Sequence, residues 1–192
     1  MKIILASKSE VRKQILDKNG FKSEVFPSNV DEDEIKNSLI SKGASPFLIS
    51  KNLAEVKANK VSMKKPDMIV LGADSVIDID GILISKPKTR EEGLNILKRL
   101  NGKKHQLISS VCISKNGSMI WNYSDTSVLT MKKLNLDQLK KYLSKISDKK
   151  LFAYGVYQIE ADGRSLFARI EGNEDSIMGL PVKQIKEYLN NS

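Results

Sequence analysis

The sequence has very few of the residues that form disulfides and zinc sites. Among its 192 residues there is one cysteine, Cys112, and one histidine, His105. An intrachain disulfide is therefore excluded, as is a zinc site built from several cysteines or histidines. A metal bound here would take oxygen ligands, which favours magnesium or manganese.

Long apolar runs are also missing. The first such run, at residues 3–6, is too short for the core of a signal peptide. No later run approaches the roughly 20 residues that cross a bilayer. We therefore expect a cytoplasmic protein with no membrane partner.

The charge is strongly positive, with 32 lysines and arginines against 23 aspartates and glutamates, for a net charge of +9. This excess predicts an affinity for anions. The basic residues are spread along the whole chain and aromatic residues make up only 6%. No base-stacking surface is evident, so nucleic acid is not the expected partner. A basic nucleic-acid-binding protein is kept as an alternative interpretation.

The hydrophobic pattern predicts one α/β domain over residues 1–192, with a mixed sheet. The predicted strands are 3–6, 21–27, 68–71, a hairpin at 76–84, a long hairpin at 105–131, and strands at 153–160 and 165–170. The first predicted helix follows Ser7, with Glu10 completing a capping box. Further predicted helices are 46–63, 89–100, 136–146 and 182–189.

Ser7 and Arg12 lie at a predicted strand-to-helix turn. The N-terminus of a helix presents free N–H groups and partial positive charge, which suits phosphate. The serine hydroxyl and the guanidinium would add donors. The alternative is an ordinary helix cap with a solvent-facing arginine.

Two acidic positions are candidates for a cation or for proton transfer. Asp74 follows the predicted buried strand 68–71, and ligands of α/β sheets gather at the carboxyl ends of strands. A carboxylate there can hold magnesium or accept a proton from water, although it can also cap a turn. Glu32 belongs to an acidic run that predicts either a cation site or a solvated loop.

Lys57 and Lys86 are compact point charges of the kind that suits a triphosphate. Together with the acidic groups and the helix N-terminus, they indicate phosphoanhydride chemistry. The sequence has neither the GxxxxGK[ST] loop of P-loop enzymes nor a GxGxxG after a strand.

These segments resemble the Maf family of nucleoside triphosphate pyrophosphatases. Leu5-Ala6-Ser7-Lys8-Ser9 followed by Arg12 is similar to the opening signature of that family. The resemblance continues in order through residues 53–58, 71–75, 86–87, 100–105, 170–172 and 178–181.

The resemblance implies an enzyme that converts a nucleoside triphosphate to the monophosphate and pyrophosphate. It also implies a divalent cation, a cytoplasmic homodimer, and an elongated mixed sheet flanked by helices, with an active cleft between two lobes, as in ITP pyrophosphatases. By position, Asp74 would activate water and Glu32 would help it hold the metal. The phosphates would be contacted by Ser7, Arg12, Lys57 and Lys86.

The sequence departs from the family pattern where substrate choice is expected to lie. The family's SPRR is Ser9-Glu10-Val11-Arg12 here, and Ser75 replaces the common threonine or glutamine. Glu160 falls where dTTP/UTP-type members carry glutamine, and a glutamate there resembles the 7-methyl-GTP subfamily. Arg12, Ser75 and Glu160 are therefore the predicted specificity residues, with Gln158 as the alternative to Glu160.

Two of these departures, with one more, leave another function open. Glu10, Val11 and Ala153, the last in place of the family's lysine, would also fit a family member that binds nucleotides without turnover.

Overall fold

The computed structural model describes residues 2–191, which form a mixed sheet flanked by helices. The strands are β1 Lys2–Leu5, β2 Lys22–Val25, β3 Ile69–Ile79, β4 Ile82–Ile84, β5 Lys104–Lys115, β6 Ser118–Met131 and β7 Phe167–Glu171. The helices are α1 Glu10–Lys18, α2 Glu32–Ser41, α3 Pro46–Ser62, α4 Arg90–Leu100, α5 Leu136–Ser144, α6 Asp148–Tyr154, α7 Glu174–Ile177 and α8 Val182–Asn190. The predicted fold class is confirmed.

The sheet has the strand order β2-β1-β3-β5-β6-β7, and β4 pairs with the far end of β3. β1 is parallel to β2 and β3, and the other pairs are antiparallel. Both predicted hairpin turns are confirmed. Asn116-Gly117 and Asp80-Gly81 all have positive φ, the backbone that a two-residue turn between antiparallel strands requires.

The long strands carry two separate apolar cores. The first core lies under α1 and α8 and consists of Ile3, Leu5, Ile15, Leu16, Leu71, Ala73, Val111, Ile113, Leu180, Val182, Ile185 and Leu189. The second core lies under α4 and α5 and includes Ile79, Leu97, Leu100, Leu107, Leu129, Leu139, Tyr142, Leu151, Tyr157 and Phe167. On β3 the change from one core to the other takes place around Ser75.

The prediction that a strand ends at Leu71 was wrong, because β3 runs without a break from Ile69 to Ile79. Gly72 suggested a strand end, but its missing side chain instead lets α3 lie close against β3. Asp74 therefore lies in the middle of a strand. It is near a free edge, since β1 pairs with β3 only as far as Leu71 and β4 begins to pair at Ile77.

Three other sequence expectations are corrected. Residues 153–160 are not a strand: α6 ends at Tyr154, and an irregular segment follows. The acidic run forms the start of α2, capped by Asp31, rather than a loop. The side chain that caps α1 is Ser9, which accepts a hydrogen bond from the Arg12 amide, so Ser7 is left for another role.

None of the helices within residues 2–191 combines the length and apolarity that crossing a bilayer requires.

Candidate active site

A cleft of about 500 Å³ lies at the free edge of β3, between the two cores. This volume falls within the range of small-molecule sites. Every site residue predicted from the sequence lines it: Ser7, Arg12, Glu32, Lys57, Asp74, Ser75, Lys86 and Glu160, together with the alternative Gln158. The tertiary structure thus brings together residues that are up to 153 positions apart in the chain.

The centre of the cleft is a buried ammonium shared by two carboxylates. Lys57 Nζ lies 2.7 Å from Asp74 Oδ1 and 2.7 Å from Glu32 Oε1. Lys57 takes this position because it occupies the buried face of α3, in helical spacing with Leu53 and Val61. Lys57 and Asp74 are 6% and 5% exposed, so each compensates for the burial of the other.

The second carboxylate oxygen of Asp74 accepts no hydrogen bond from the described part of the protein. Asp74 Oδ2 is buried and has no hydrogen-bond partner among residues 2–191. A buried carboxylate oxygen without a hydrogen-bond partner destabilises the folded protein unless a ligand or a water molecule binds it. This atom is therefore where a water molecule or a cation would be received.

The donor set suits a hard divalent cation. Asp74 and Glu32 supply carboxylate oxygens, which magnesium and manganese prefer. No cluster of three or more histidine, cysteine, aspartate or glutamate side chains able to hold a metal occurs within residues 2–191. A cation held by Asp74 and Glu32 would therefore take further ligands from water or substrate phosphates, as magnesium commonly does.

Arg12 joins three segments of the chain at the cleft. Its Nε donates to Gly179 O (2.9 Å), its Nη1 to Ser7 Oγ and Ala73 O (3.1 Å each), and its Nη2 to Ser75 Oγ (3.0 Å). Removal from water lowers the pKa of Arg12, while the carboxylates of Asp74 and Glu32 oppose that shift. Most of its donors thus bind the protein rather than face the cleft.

Ser7 is oriented by two of its neighbours. Its Oγ accepts hydrogen bonds from the Ser9 amide (3.2 Å) and from Arg12 Nη1. A serine hydroxyl has one proton to donate in addition to its acceptor lone pairs. Since both of these bonds are accepted, the Ser7 proton remains for a group in the cleft.

Gly179 contributes to this arrangement and was missed as a site residue. Its φ is +95°, and a Cβ at this position would come within 3.1 Å of Ser75 Oγ and 3.2 Å of Arg12 Nε. The only sequence signal was its place in the motif Met178-Gly179-Leu180-Pro181, which carried no assigned role.

Lys86 is a further cation of the cleft, which Lys8 also lines. It keeps an exposed surface, but partial burial of its ammonium lowers its pKa, against the influence of Glu32 and Asp74. Lys36, on α2, lies 3.7 Å from Glu32 and was not singled out in the sequence. Its spacing four residues after Glu32 was the available signal.

One wall of the cleft contains no basic residue. The cleft wall consists of residues 152–160, Phe-Ala-Tyr-Gly-Val-Tyr-Gln-Ile-Glu. Gly155, with φ of +94°, ends α6 and turns the chain into the irregular part of the wall. Gln158 is half-buried and Glu160 is exposed, and both line the cleft.

Glu32→Gln is expected to destabilise the protein in a pH-dependent way. Burial alone would raise the pKa of Glu32, but Lys57, with Lys86 and Lys36, lowers it from 4.5 to about 2. A carboxyl group whose pKa is lowered by folding stabilises the protein at pH values above its pKa in the unfolded chain. This stabilisation is lost as the pH falls through its pKa in the folded protein. The difference in unfolding free energy between wild type and Glu32→Gln should therefore be constant above pH 5 and disappear between about pH 4.5 and pH 2.

Urea unfolding at a series of pH values measures this difference. Glu10→Gln, at an exposed position on α1, is the matched control and should show no such loss. A difference for Glu32→Gln that stayed constant down to pH 2 would contradict the ion pair.

A family model and the relatives found by sequence comparison agree on one family. The family model described as Maf-like protein matches residues 2–192. A nucleoside triphosphate pyrophosphatase of Pelagibacter ubique is 66% identical over 187 residues, covering 97% of this chain and 96% of that protein. A 7-methyl-GTP pyrophosphatase of Rhizobium etli is 33% identical over 181 residues, covering 94% and 91%.

The fold also has a solved counterpart. The structure of a HAM1 protein from Coxiella burnetii superimposes with a TM-score of 0.53 over all of both chains, at 12% identity. At that identity the likeness concerns the fold alone.

Proposed function

This chain belongs to the Maf family, and on that premise we propose that it hydrolyses a nucleoside triphosphate to the monophosphate and pyrophosphate. The observation that carries the proposal is the buried Lys57 ammonium between Asp74 and Glu32, with Asp74 Oδ2 left without a hydrogen-bond partner among residues 2–191 at the lining of the cleft. The names of the relatives in Pelagibacter ubique and Rhizobium etli support the same reaction. We take the whole chain as one functional domain, since its seven described strands form one sheet.

Asp74 is the proposed general base. Its Oδ2 would accept a hydrogen bond from a water molecule and then its proton, while Oδ1 stays fixed on Lys57 Nζ. The water oxygen forms a bond to the α-phosphorus, the bond from that phosphorus to the bridging oxygen breaks, and pyrophosphate leaves with the bridging oxygen and its electron pair. The negative charge that grows on the leaving group is the main obstacle to this step.

The cationic groups of the cleft would stabilise that negative charge. The Lys57 ammonium has three N–H groups, of which two bind carboxylates, so the third remains for a phosphate oxygen. Lys86 and the Ser7 hydroxyl would bind other phosphate oxygens, whereas Arg12 would act through its charge and through its hold on Ser7. Preorganised donors of this kind stabilise a transition state without moving.

A divalent cation would be held by Asp74 and Glu32, the only carboxylates among residues 2–191 that line the cleft next to Lys57. When bound, it would neutralise phosphate charge and align the triphosphate with the water.

The cleft wall is the proposed binding surface for the nucleoside. It offers aromatic side chains, one amide and one carboxylate, which suit a base better than a phosphate. A carboxylate at Glu160 would accept hydrogen bonds from the N1–H and N2–H₂ groups of guanine and would favour a cationic methylated base. Glu160 is therefore the proposed specificity residue, with Arg12 and Ser75 acting through their mutual hydrogen bond and Gln158 as the alternative.

A nucleotide panel tests the proposed reaction. Purified protein with magnesium, incubated with the common nucleoside triphosphates, dTTP, UTP and 7-methyl-GTP, should release pyrophosphate and the monophosphate, and chelation of the metal should stop the release. Release of inorganic phosphate as the sole product would contradict the proposal. Nucleotide binding without any product would instead favour a member of the family that binds without turnover.

A further inference from the structure

The only histidine of the chain lies behind the cleft wall and has no part in the proposed reaction. His105, on β5, is 2% exposed and packs beside the rings of Tyr157 and Phe167, with ring centroids 5.8 Å away in each case. Tyr157 belongs to the cleft wall and is 8% exposed. The His105 Nε2 atom and the Tyr157 hydroxyl are 3.0 Å apart, within hydrogen-bond distance.

This hydrogen bond joins neutral groups in an apolar setting. Burial lowers the pKa of His105 to about 4, so the imidazole carries no charge near neutral pH. Its Nδ1 is buried without a hydrogen-bond partner among residues 2–191. An apolar side chain would fill the same space without exposing a polar atom to a dry interior. The hydrogen bond to the Tyr157 hydroxyl is thus what a histidine offers at this position and an apolar side chain does not.

From Gly155 onward the wall belongs to no helix or strand, so side-chain and turn contacts hold its shape. A second hydroxyl, that of Tyr142 on α5, donates to Val156 O at 3.1 Å. On the far side, the amides of Ala161 and Gly163 both donate to Gln158 O at 3.1 Å. A Cβ on Gly163 would come within 2.6 Å of Gln158 N, so that turn closes tightly on the wall.

Tyr157 lies between these two attachments. The ring of Tyr157 packs edge-on against Phe167 at 4.9 Å, turned into the second core, while Gln158 and Glu160 reach the cleft. The position of the Tyr157 side chain therefore determines the position of the Gln158 backbone. It thereby also determines how far the side chains of Gln158 and Glu160 extend toward a bound base.

We propose that the His105–Tyr157 hydrogen bond holds the cleft wall in the shape that discriminates between nucleobases. His105 and Tyr157 are then positioning residues: they act on the base through Gln158 and Glu160 and leave the phosphate chemistry around Asp74 unchanged. The inference rests on the proposed function and adds to it a determinant of substrate choice behind the cleft.

The test compares Tyr157→Phe, His105→Phe and the double variant with wild type. Tyr157→Phe keeps the ring and removes only the hydroxyl. For the preferred nucleotide of the panel we expect KM to rise about three- to tenfold, the size of one lost buried hydrogen bond, with kcat within about twofold. The preference over the next-best base should fall by a similar factor. In the His105→Phe background, Tyr157→Phe should add nothing, because both variants remove the same bond.

Two further variants separate positioning from general loss of structure. Tyr123→Phe removes a tyrosine hydroxyl beside the first core and should leave KM and base preference unchanged. His105→Gln retains a side-chain N–H that can donate to the Tyr157 hydroxyl and should recover part of the preference that His105→Phe loses. If His105→Phe fails to fold, the comparison of Tyr157→Phe with wild type carries the test.

Affinities for α,β-methylene triphosphate analogues, measured by calorimetry, make the test independent of hydrolysis. If the wild type releases no pyrophosphate, the proposed function fails, while a preference among analogues that Tyr157→Phe reduces still supports the positioning role. Unchanged base preference in Tyr157→Phe, additive effects in the double variant, or an equal change in Tyr123→Phe would each overturn the inference. A wild type that binds none of the analogues would overturn both proposals.

Discussion

Asp74→Asn is expected to lower the rate of pyrophosphate release by roughly 10²- to 10⁴-fold, the usual contribution of a general base. The asparagine amide has nearly the same shape as the carboxylate but cannot take a proton from water at neutral pH. Its oxygen can still accept the hydrogen bond from Lys57 Nζ, which lies 2.7 Å from Asp74 Oδ1. The variant should therefore fold, bind nucleotide and fail at the hydrolytic step.

Steady-state release of pyrophosphate and binding of an α,β-methylene analogue separate these effects. The expected result is a loss in kcat with a change in affinity of less than about tenfold. Asp80→Asn is the matched control, because Asp80 is exposed at the tip of the β3–β4 turn and its φ of 55° is one that asparagine adopts readily. Activity of Asp74→Asn within a few-fold of wild type would show that Asp74 is not the general base.

Gly72→Ala is expected to destabilise the protein by about 3 kcal/mol or more, at the upper end of what overpacking costs. The new Cβ would overlap the Ala54 carbonyl oxygen and come within 2.7 Å of Ala58 N. Both are backbone atoms of α3, so no side chain can rotate to make room. Relief requires α3 to move away from β3.

The same movement should reach the candidate active site. Lys57 lies on α3 and Asp74 on β3, so a separation of the two elements lengthens the contact between Lys57 Nζ and Asp74 Oδ1. We therefore expect Gly72→Ala to lose activity as well as stability, even at temperatures where it remains folded. This combined loss would not follow from a defect confined to the core.

Urea unfolding gives the stability and pyrophosphate release gives the activity. Gly93→Ala is the matched control: Gly93 lies within α4, where a Cβ would meet the side-chain ends of Leu151, at 3.3 Å and 3.4 Å, and of Leu143, at 3.6 Å. Its gain in helix propensity should offset these contacts, leaving the stability near that of wild type. Gly72→Ala with wild-type stability would show that α3 does not lie against β3 as described.

Local patterns were sufficient for much of the fold. The Asn116-Gly117 and Asp80-Gly81 turns follow from short-range rules that the neighbouring strands obey. The helix predicted over residues 46–63 is confirmed as α3, although Leu48 and Val56, which the apolar pattern placed on its buried side with Leu53 and Val61, are exposed. Each of these features depends on residues close together in the chain.

Local patterns failed where a distant contact decides the conformation. Gly72 predicts a break in a strand when only its neighbours are considered, yet β3 continues because the glycine faces α3. Residues 153–160 predict a strand, yet their conformation is set by Gly155, by the Gly163 turn and by Tyr157 packing into the second core. In both cases tertiary packing, and not the local secondary-structure propensity of the sequence, determines the conformation.

The sequence by itself determined the family and the identity of the predicted site residues, because those depend on residue types in a fixed order. Only the tertiary structure decided what the residues do to one another: Lys57 lies between Glu32 and Asp74, Arg12 binds mainly the protein, and Asp74 Oδ2 has no hydrogen-bond partner among residues 2–191. These relations depend on distances between segments separated by tens of residues. Such distances are set by how α3 packs on β3 and where β1 stops pairing, which no local pattern records.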